Sequence, residues 1–271
     1  MSTEDRLLDE GALRARALGG LWTAVDVVAS TGSTNADLLV RAAAPDAPEG
    51  QVLVAEEQTA GRGRLGRSWT SVPGASLTFS VLLRPAAVPA GRRGWLPLLT
   101  GVAVASAVRA VAGVDAVLKW PNDVLVGDRK LVGILAEQSP DGSAVVIGTG
   151  INVATPADAL PVSATGLPAT SLLVEGATVS REELLLAILR RLADWYLAFR
   201  ADPDPARTGL LDAYRSLSAT IGRQVRVEMP VGRMVTGVAR DIDSDGRLLI
   251  QETGATNITP VSAGDVIHVR F

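Results

Sequence analysis

Ala116-Val-Leu-Lys-Trp-Pro-Asn-Asp-Val-Leu-Val-Gly-Asp-Arg-Lys-Leu-Val-Gly-Ile-Leu-Ala-Glu-Gln138 reads as three strands in quick succession: Ala116 to Trp120, Val124 to Val126 and Gly133 to Gln138. Gly127-Asp128 supplies the turn, and a fourth strand, Val145 to Ile151, follows a second turn at Asp141-Gly142. Upstream, Val25 to Ala29, Val52 to Glu56 and Leu77 to Leu83 are strand candidates, and Leu96 to Val111 reads as a long buried helix. Residues 1 to about 20 read as a short amphipathic helix. Ser33 or Thr34 can N-cap a helix from Ala36 to Ala43 that Pro45 halts. Ser180-Arg-Glu-Glu183 matches a capping box opening a helix to about Phe199, and a further helix is expected from Pro205 to Ser218. After Gly222 only short β segments remain, which predicts a separate small barrel of about fifty residues on a mixed α/β body.

The same opening stretch holds both lysines of the chain, Lys119 and Lys130, against 24 arginines elsewhere. An ammonium is a compact point charge, whereas guanidinium is a planar fork, so a lysine suits a phosphate or carboxylate oxygen in a narrow site. The plainer reading is two solvated lysines at strand ends. A second pointer is the interval Gln58 to Val114, which has seven arginines and no acid in a chain of net charge −3. Three of those arginines sit in Gly61-Arg-Gly-Arg-Leu-Gly-Arg67, where glycines let successive N–H groups turn toward an anion. A solvated turn or a nucleic-acid contact would use the same composition.

At 271 residues, 47% hydrophobic and 20% charged, the chain suits one large domain, or a main domain with a small appendage. Having no cysteine excludes disulfides, thiolate metal sites and a cysteine nucleophile. The single histidine, His268, lies in the strand-like Val266 to Phe271, which argues against histidine general-base chemistry and His-rich zinc sites. Leu96 to Val114 is broken by Pro97, Gly101 and Arg109 and does not read as a membrane span, and an acidic start without a signal pattern predicts a cytoplasmic protein.

Two motif matches are rejected on context. Gly61, Gly63 and Gly66 satisfy G-x-G-x-x-G, but no helix opens at the third glycine and no acid follows until Asp115. Asp241-Ile-Asp-Ser-Asp-Gly246 with Glu252 fits a calcium-loop pattern, yet its flanks read as strands, so a hairpin turning at Asp245-Gly246 explains it.

Five segments in order carry a family resemblance: Thr31-Gly-Ser-Thr-Asn35, Glu57-Gln-Thr-Ala-Gly-Arg-Gly-Arg-Leu-Gly-Arg67, Lys119-Trp-Pro-Asn-Asp123, Lys130-Leu-Val-Gly-Ile-Leu-Ala-Glu137 and Gly148-Thr-Gly-Ile-Asn152. From about Asp26 to the C-terminus the chain resembles the biotin–protein ligases. The resemblance implies an α+β fold: a class II synthetase-like catalytic domain, a mixed sheet with flanking helices, over residues 1–221, with 1–25 as an N-terminal extension. An SH3-like β-barrel over 222–271 would follow. It implies ATP, biotin and Mg²⁺ as ligands and a biotin carboxyl carrier protein or domain as partner, with no membrane and at most a weak homodimer. The implied chemistry forms biotinoyl-AMP from biotin and ATP, then passes biotin to a carrier lysine. That first step needs phosphoryl-charge stabilisation and no enzyme nucleophile, consistent with a chain lacking cysteine.

Carried over by resemblance, Ser33, Thr34, Asn35 and Gln58 would face the biotin ring, while helix capping is the plainer role for Ser33 and Thr34. Arg62, Gly63 and Arg64 would close over carboxylate and phosphate, and Arg67 would reach the phosphates. Lys119 would neutralise phosphate, Lys130 would sit at the carboxylate-to-phosphorus junction, and Gly133 would let backbone approach the ligand. Asn122 and Asn152 are nucleotide candidates. Asp123 would hold Mg²⁺ or orient the attacking amine, with a simple turn role after Pro121 as its alternative.

Some members of the family carry an N-terminal winged helix-turn-helix of about sixty residues; only about 25 residues precede the first matching strand, so a ligase without direct DNA binding is expected. Residues 153–168 match no pattern. Lipoate ligases and octanoyltransferases of the same superfamily are the nearest rivals, but the transferases favour a cysteine and no Arg-Arg-Gly-Gly-type signature is present. A non-enzymatic nucleic-acid binder is the rival from another class; it would want aromatics among the basic residues, and near the loop only Trp69 serves.

Overall fold

A computed structural model describes residues 8–44, 46–161, 167–229, 233–262 and 264–268. Pro45, the expected helix stop, lies outside the described residues, as do residues 1–7 of the first helix candidate and residues 269–271 of the last strand. The first sheet contains β1 (Ala24–Thr31), β2 (Gln51–Gln58), β3 (Ser76–Leu83), β4 (Ala116–Lys119), β5 (Asp123–Val126), β6 (Arg129–Gln138) and β7 (Val145–Asn152). Its order is β1-β2-β3-β7-β6-β5-β4. Only β1 and β2 run parallel, because α2 (Thr34–Ala42) crosses between them; the remaining pairs are antiparallel.

Strand alternation separates the two faces of this sheet. Val52, Val54, Phe79, Val81, Ile147 and Ile151 join one large core with the helices α3 (Trp95–Ala112) and α4 (Arg181–Ala201). Their neighbours Leu53, Leu82 and Val146 face the other way and bury Leu38 and Ala42 of α2. Further along that second face the apolar residues give way to Thr78, Ser80, Gly148 and Gly150, which pair in register across β3 and β7. The sheet is thus apolar where α2 covers it, and small or polar beyond.

The segment Ala90–Ala112 is long and apolar enough to cross a membrane by length and composition, and 67% of its most apolar window is buried. It packs as the central helix of the core. Gly113, left-handed at φ 67°, closes α3, a conformation that costs a residue with a Cβ. The Ser180 hydroxyl accepts from the Glu183 N–H as expected, and Glu183 itself pairs with Arg16 of α1 (Glu10–Ala17). The fifth helix departs from expectation: α5 spans Leu210–Leu217, while residues 205–209 form turns ending at left-handed Gly209.

The second sheet is antiparallel, in the order β11-β10-β9-β8-β12. Its strands are β8 (Gln224–Glu228), β9 (Met234–Ile242), β10 (Leu248–Glu252), β11 (Ile258–Val261) and β12 (Asp265–His268). The calcium-like run is the β9–β10 hairpin: Asp243 Oδ1 accepts from the N–H groups of Asp245 and Arg247, and Asp241 pairs with Arg215. Two indoles grip this turn. Trp95 Nε1 donates to the carbonyls of Asp243 and Ser244, and Trp120 Nε1 donates to that of Gly246, each at 3.1 Å. The Trp120 N–H in turn donates to Thr220 Oγ1, so the second sheet is fastened directly to the segment holding Lys119 and Asp123.

Candidate active site

A cleft of about 1120 Å³ opens over the small-residue face of the first sheet, with β8 and β12 contributing its far rim through Arg226 and His268. Ser33, Thr34, Asn35, Gln58, Arg62, Gly63, Arg64, Arg67, Lys119, Asn122, Asp123, Lys130, Gly133 and Asn152 all line it, so every residue singled out from the sequence converges there.

At one end β4, β5 and β6 bring three charges together. Lys119 lies opposite Asp123 in the β4–β5 register, and its Nζ is 3.9 Å from Asp123 Oδ2. Lys130 Nζ approaches Asp123 Oδ1 to 2.6 Å as an ion pair, without the alignment of a hydrogen bond. Lys130 reaches this face because of a bulge: Val124 pairs with Val132 but Leu125 pairs with Lys130, which leaves Leu131 as the extra residue. Leu131 and Val132 both enter the core, and Lys130 is turned toward the cleft. Burial, with help from Lys130, Arg64 and Arg67, pulls the Lys119 ammonium below the usual lysine range, against the opposing pull of Asp123. Burial likewise lowers Arg64, again opposed by Asp123. Two ammoniums and a guanidinium around one carboxylate leave an excess of positive charge that suits an anion.

The arginine-glycine loop is a small hairpin. Arg62 bridges to Ser68, the Gly63 N–H donates to the Arg67 carbonyl, and the Trp69 N–H donates to the Gly61 carbonyl. Within Gly61–Arg67 the N–H groups of Gly63 and Arg67 close the hairpin itself, donating to the carbonyls of Arg67 and Arg64, and so do not turn to an anion. The side chains do reach the cleft: Arg64 Nη1 donates to Asn122 Oδ1 at 3.1 Å, and Arg62 Nη1 lies 3.3 Å from Glu137 Oε1. Leu65 at the tip is left-handed (φ 56°) and exposed.

Gly133 also serves the packing of the protein itself. A Cβ on Gly133 would come within 2.9 Å of the Trp69 ring and 3.4 Å of the Lys130 stem, so here the bare backbone makes room for protein side chains. Gly150, directly across from Gly133, would drive a Cβ into the same indole. Gly148 gives the same clearance to Asn35. Trp69 therefore lies against a cross-strand glycine pair, with Lys130 Nζ 5.9 Å from its ring centroid.

Around α2 the polar groups form one chain. Gln58 Oε1 accepts from the Thr34 N–H and lies 3.0 Å from Thr34 Oγ1, so Gln58 rather than Ser33 caps the helix. Thr34 Oγ1 contacts Ser80 Oγ at 2.6 Å, and Ser80 donates to Asn35 Oδ1. Asn35 Nδ2 donates to the Leu135 carbonyl and to Glu137 Oε2. With its amide oxygen taken, Gln58 has only its NH₂ end for a ligand. Asn122 and Asn152 also spend amide groups on protein: Asn122 Nδ2 donates to the Ile134 carbonyl, and Asn152 Nδ2 to that of Thr170.

Trp69, Thr78 and Glu137 were not read from the sequence as site residues. Trp69 Nε1 and Thr78 Oγ1 are buried polar atoms without a hydrogen-bond partner, on two residues that line this cleft. Unpartnered buried polar groups are rare, and their gathering at one cavity points to a polar ligand there. An aromatic beside the basic loop was the only sequence signal for Trp69; nothing marked Thr78.

Residues 27–152 match the model of the biotin/lipoate A/B protein ligase family, and 220–269 match the biotin protein ligase C-terminal domain. The chain is 46% identical to the biotin–[acetyl-CoA-carboxylase] ligase of Mycobacterium tuberculosis, with 100% of each chain covered. It is 32% identical to the bifunctional ligase/repressor BirA of Escherichia coli over 96% of this chain and 78% of that protein. Among solved structures, biotin protein ligase from Aquifex aeolicus in complex with biotin and ATP superposes with a TM-score of 0.75 at 27% identity, covering 92% of this chain and 100% of that one. The Leishmania major biotin protein ligase in complex with biotinyl-5-AMP gives 0.61 at 25% identity, covering 88% and 98%.

Proposed function

The chain belongs to the biotin–protein ligase family, and on that premise we propose that its cleft joins biotin to a lysine of a biotin carboxyl carrier domain in two steps. In the first, an oxygen of the biotin carboxylate attacks the α-phosphorus of ATP, and pyrophosphate leaves. In the second, the carrier amine attacks the carbonyl of the mixed anhydride; an amide forms, AMP leaves, and the amine's proton passes to solvent. The carboxylate is already ionised at neutral pH, so the first step asks the protein for placement and for stabilisation of phosphoryl charge.

The observation that carries this reading is the Lys119–Asp123–Lys130 cluster beside Arg64. Asp123 holds both ammoniums at the closed end of the cleft, where burial strengthens their pull on an anion. Lys130 is assigned to the junction of carboxylate and α-phosphate, and Lys119 and Arg67 to the remaining phosphate charge. Ser33, Thr34 and the NH₂ of Gln58 are assigned to the ring of biotin, with Asn35 supporting them from below. Trp69 offers an indole face and an unpartnered N–H between the ring end and the charged end. Arg62, Gly63 and Arg64 form the cover.

Mg²⁺ is assigned to the substrate, as the metal complex of ATP. Among the described residues no three His, Cys, Asp or Glu side chains converge, and Asp123 is committed to two lysines, so these residues do not build a resident metal site. The second sheet, from about residue 222, is assigned to closing the far rim of the cleft.

ATP–pyrophosphate exchange, run with biotin and with lipoate in parallel, tests the reading. Buried groups that pair with a ureido ring reject a ligand lacking it by ~10⁴-fold or more. Exchange supported by biotin alone is the expected result; equal rates with lipoate would move the assignment to the lipoate branch of the superfamily.

A further inference from the structure

Glu137 touches both the floor of the cleft and its cover. It stands on β6 facing the same side as Gly133 and Leu135, and its two oxygens are divided between partners. Oε2 accepts from Asn35 Nδ2 at 2.8 Å, and Oε1 lies 3.3 Å from Arg62 Nη1. Asn35 is 3% exposed and fixed at its other end by Ser80, so the floor side of this link is rigid. The Arg62 side chain is 46% exposed, so the cover side can release.

We propose that Glu137 is a positioning residue of the ligase reaction: it orients the Asn35 amide beneath the biotin ring and, through Arg62, tethers the arginine-glycine hairpin across the cleft. This rests on the ligase reading. Two links between the hairpin and the sheet are Arg62 on Glu137 and Arg64 on Asn122. One tether lies at the ring end and the other at the phosphate end. Loss of the first loosens the cover over the ring without removing any cation from the phosphates. A carboxylate at this place also has a selective effect on the ligand. It occupies the Arg62 and Asn35 donors that would otherwise attract a ligand carboxylate to the ring end, which leaves Lys130 to take that carboxylate.

Glu137→Gln and Glu137→Ala separate the two roles. Glutamine keeps an acceptor for Asn35 but turns an NH₂ toward Arg62, whereas alanine removes both contacts. The measurements are the KM for biotin in pyrophosphate exchange and the rate at which preformed biotinoyl-AMP escapes from the full-length enzyme. Because the ion pair is partly exposed, Glu137→Gln is expected to speed escape by about fivefold, with KM within about twofold of the parent. Glu137→Ala is expected to add a rise of about tenfold in KM, the cost of an unsatisfied buried amide. In an Arg62→Ala background, Glu137→Gln should add nothing to the escape rate. The proposal is overturned if Gln and Ala behave alike in KM, if Glu137→Gln leaves escape unchanged, or if its effect persists without Arg62. An exchange rate supported equally by lipoate in the parent enzyme would instead overturn the ligase reading itself.

Discussion

Lys130 Nζ lies 2.6 Å from Asp123 Oδ1, and the two meet only because β6 carries one residue too many. Without the bulge at Leu131, strict alternation from Gly133 would send Leu131 to the cleft and Lys130 into the core. The pair is therefore a product of strand register, and its geometry is specific to a compact ammonium.

Lys130→Ala is expected to lower the adenylation rate by ~10²–10³-fold, the loss typical of one transition-state donor. Lys130→Arg should not restore it, because the planar fork has no room between Asp123, Trp69 and the Gly133 backbone. Single-turnover adenylate formation checks both; near-parent rates for either would remove Lys130 from the reacting centre.

Gly150→Ala is expected to damage the site through Trp69. The added methyl would overlap the indole, and since Gly133 crowds the same ring from the neighbouring strand, the ring must leave its seat. Overpacking of this kind costs about 1–3 kcal/mol, so ligand affinity should fall about tenfold or more. Trp69→Ala in the same background should relieve the clash without restoring affinity. Calorimetric titration of biotin and ATP into the single and double variants measures this.

Lys119 predicts a pH dependence. Its pKa in the empty fold is lowered, so between that value and the unfolded lysine value of about 10.4 the native state binds fewer protons than the unfolded state. The ammonium therefore burdens the empty fold at neutral pH, and the burden is relieved as pH rises through the lowered pKa. A bound phosphate favours the charged form and reverses the shift. Nucleotide binding should accordingly take up a proton on the alkaline side and weaken as pH rises, and Lys119→Met should flatten the slope.

Arg64→Gly should loosen the cover more than it slows chemistry, because the side chain ties the hairpin to Asn122. The expected outcome is biotinoyl-AMP that forms but escapes and labels lysines of bystander proteins. An unchanged dissociation rate, with labelling confined to the carrier, would refute the tether.

Stability is expected to depend on Arg181, whose Nη1 pairs with Glu56 Oε2 at 2.6 Å in a site where the two side chains are 9% and 3% exposed. Arg181→Ala strands the Glu56 carboxylate and should cost about 3–5 kcal/mol, read as a lower denaturant midpoint.

The strands and helices were legible because each carries its own period, and the five motif segments named the cleft residues before any contact was known. What alternation could not supply was partner choice. Asn35, Asn122 and Asn152 read equally well as ligand contacts, yet each gives amide groups to a neighbouring strand, loop or side chain. Gly133 read as clearance for a ligand, and in the fold it clears Trp69 and the Lys130 stem as well. Helix α5 began five residues later than propensity suggested, since turns across residues 205–209 satisfy the chain before Leu210.

By itself the sequence determined the class of chemistry. Without cysteine, with one histidine near its end, and with two lysines placed around Trp-Pro-Asn-Asp in an arginine-rich setting, it allowed anion handling and little else. It also determined which strands have a core face and where the second sheet begins to differ in pattern. Only the tertiary structure decided which residues face the cleft and which hold those that do. The bulge at Leu131, the glycine pair beneath Trp69, and Glu137 shared between Asn35 and Arg62 all join segments far apart in sequence. Periodicity records the direction of a side chain relative to its own strand; register, bulges and the chain that crosses above decide what it meets.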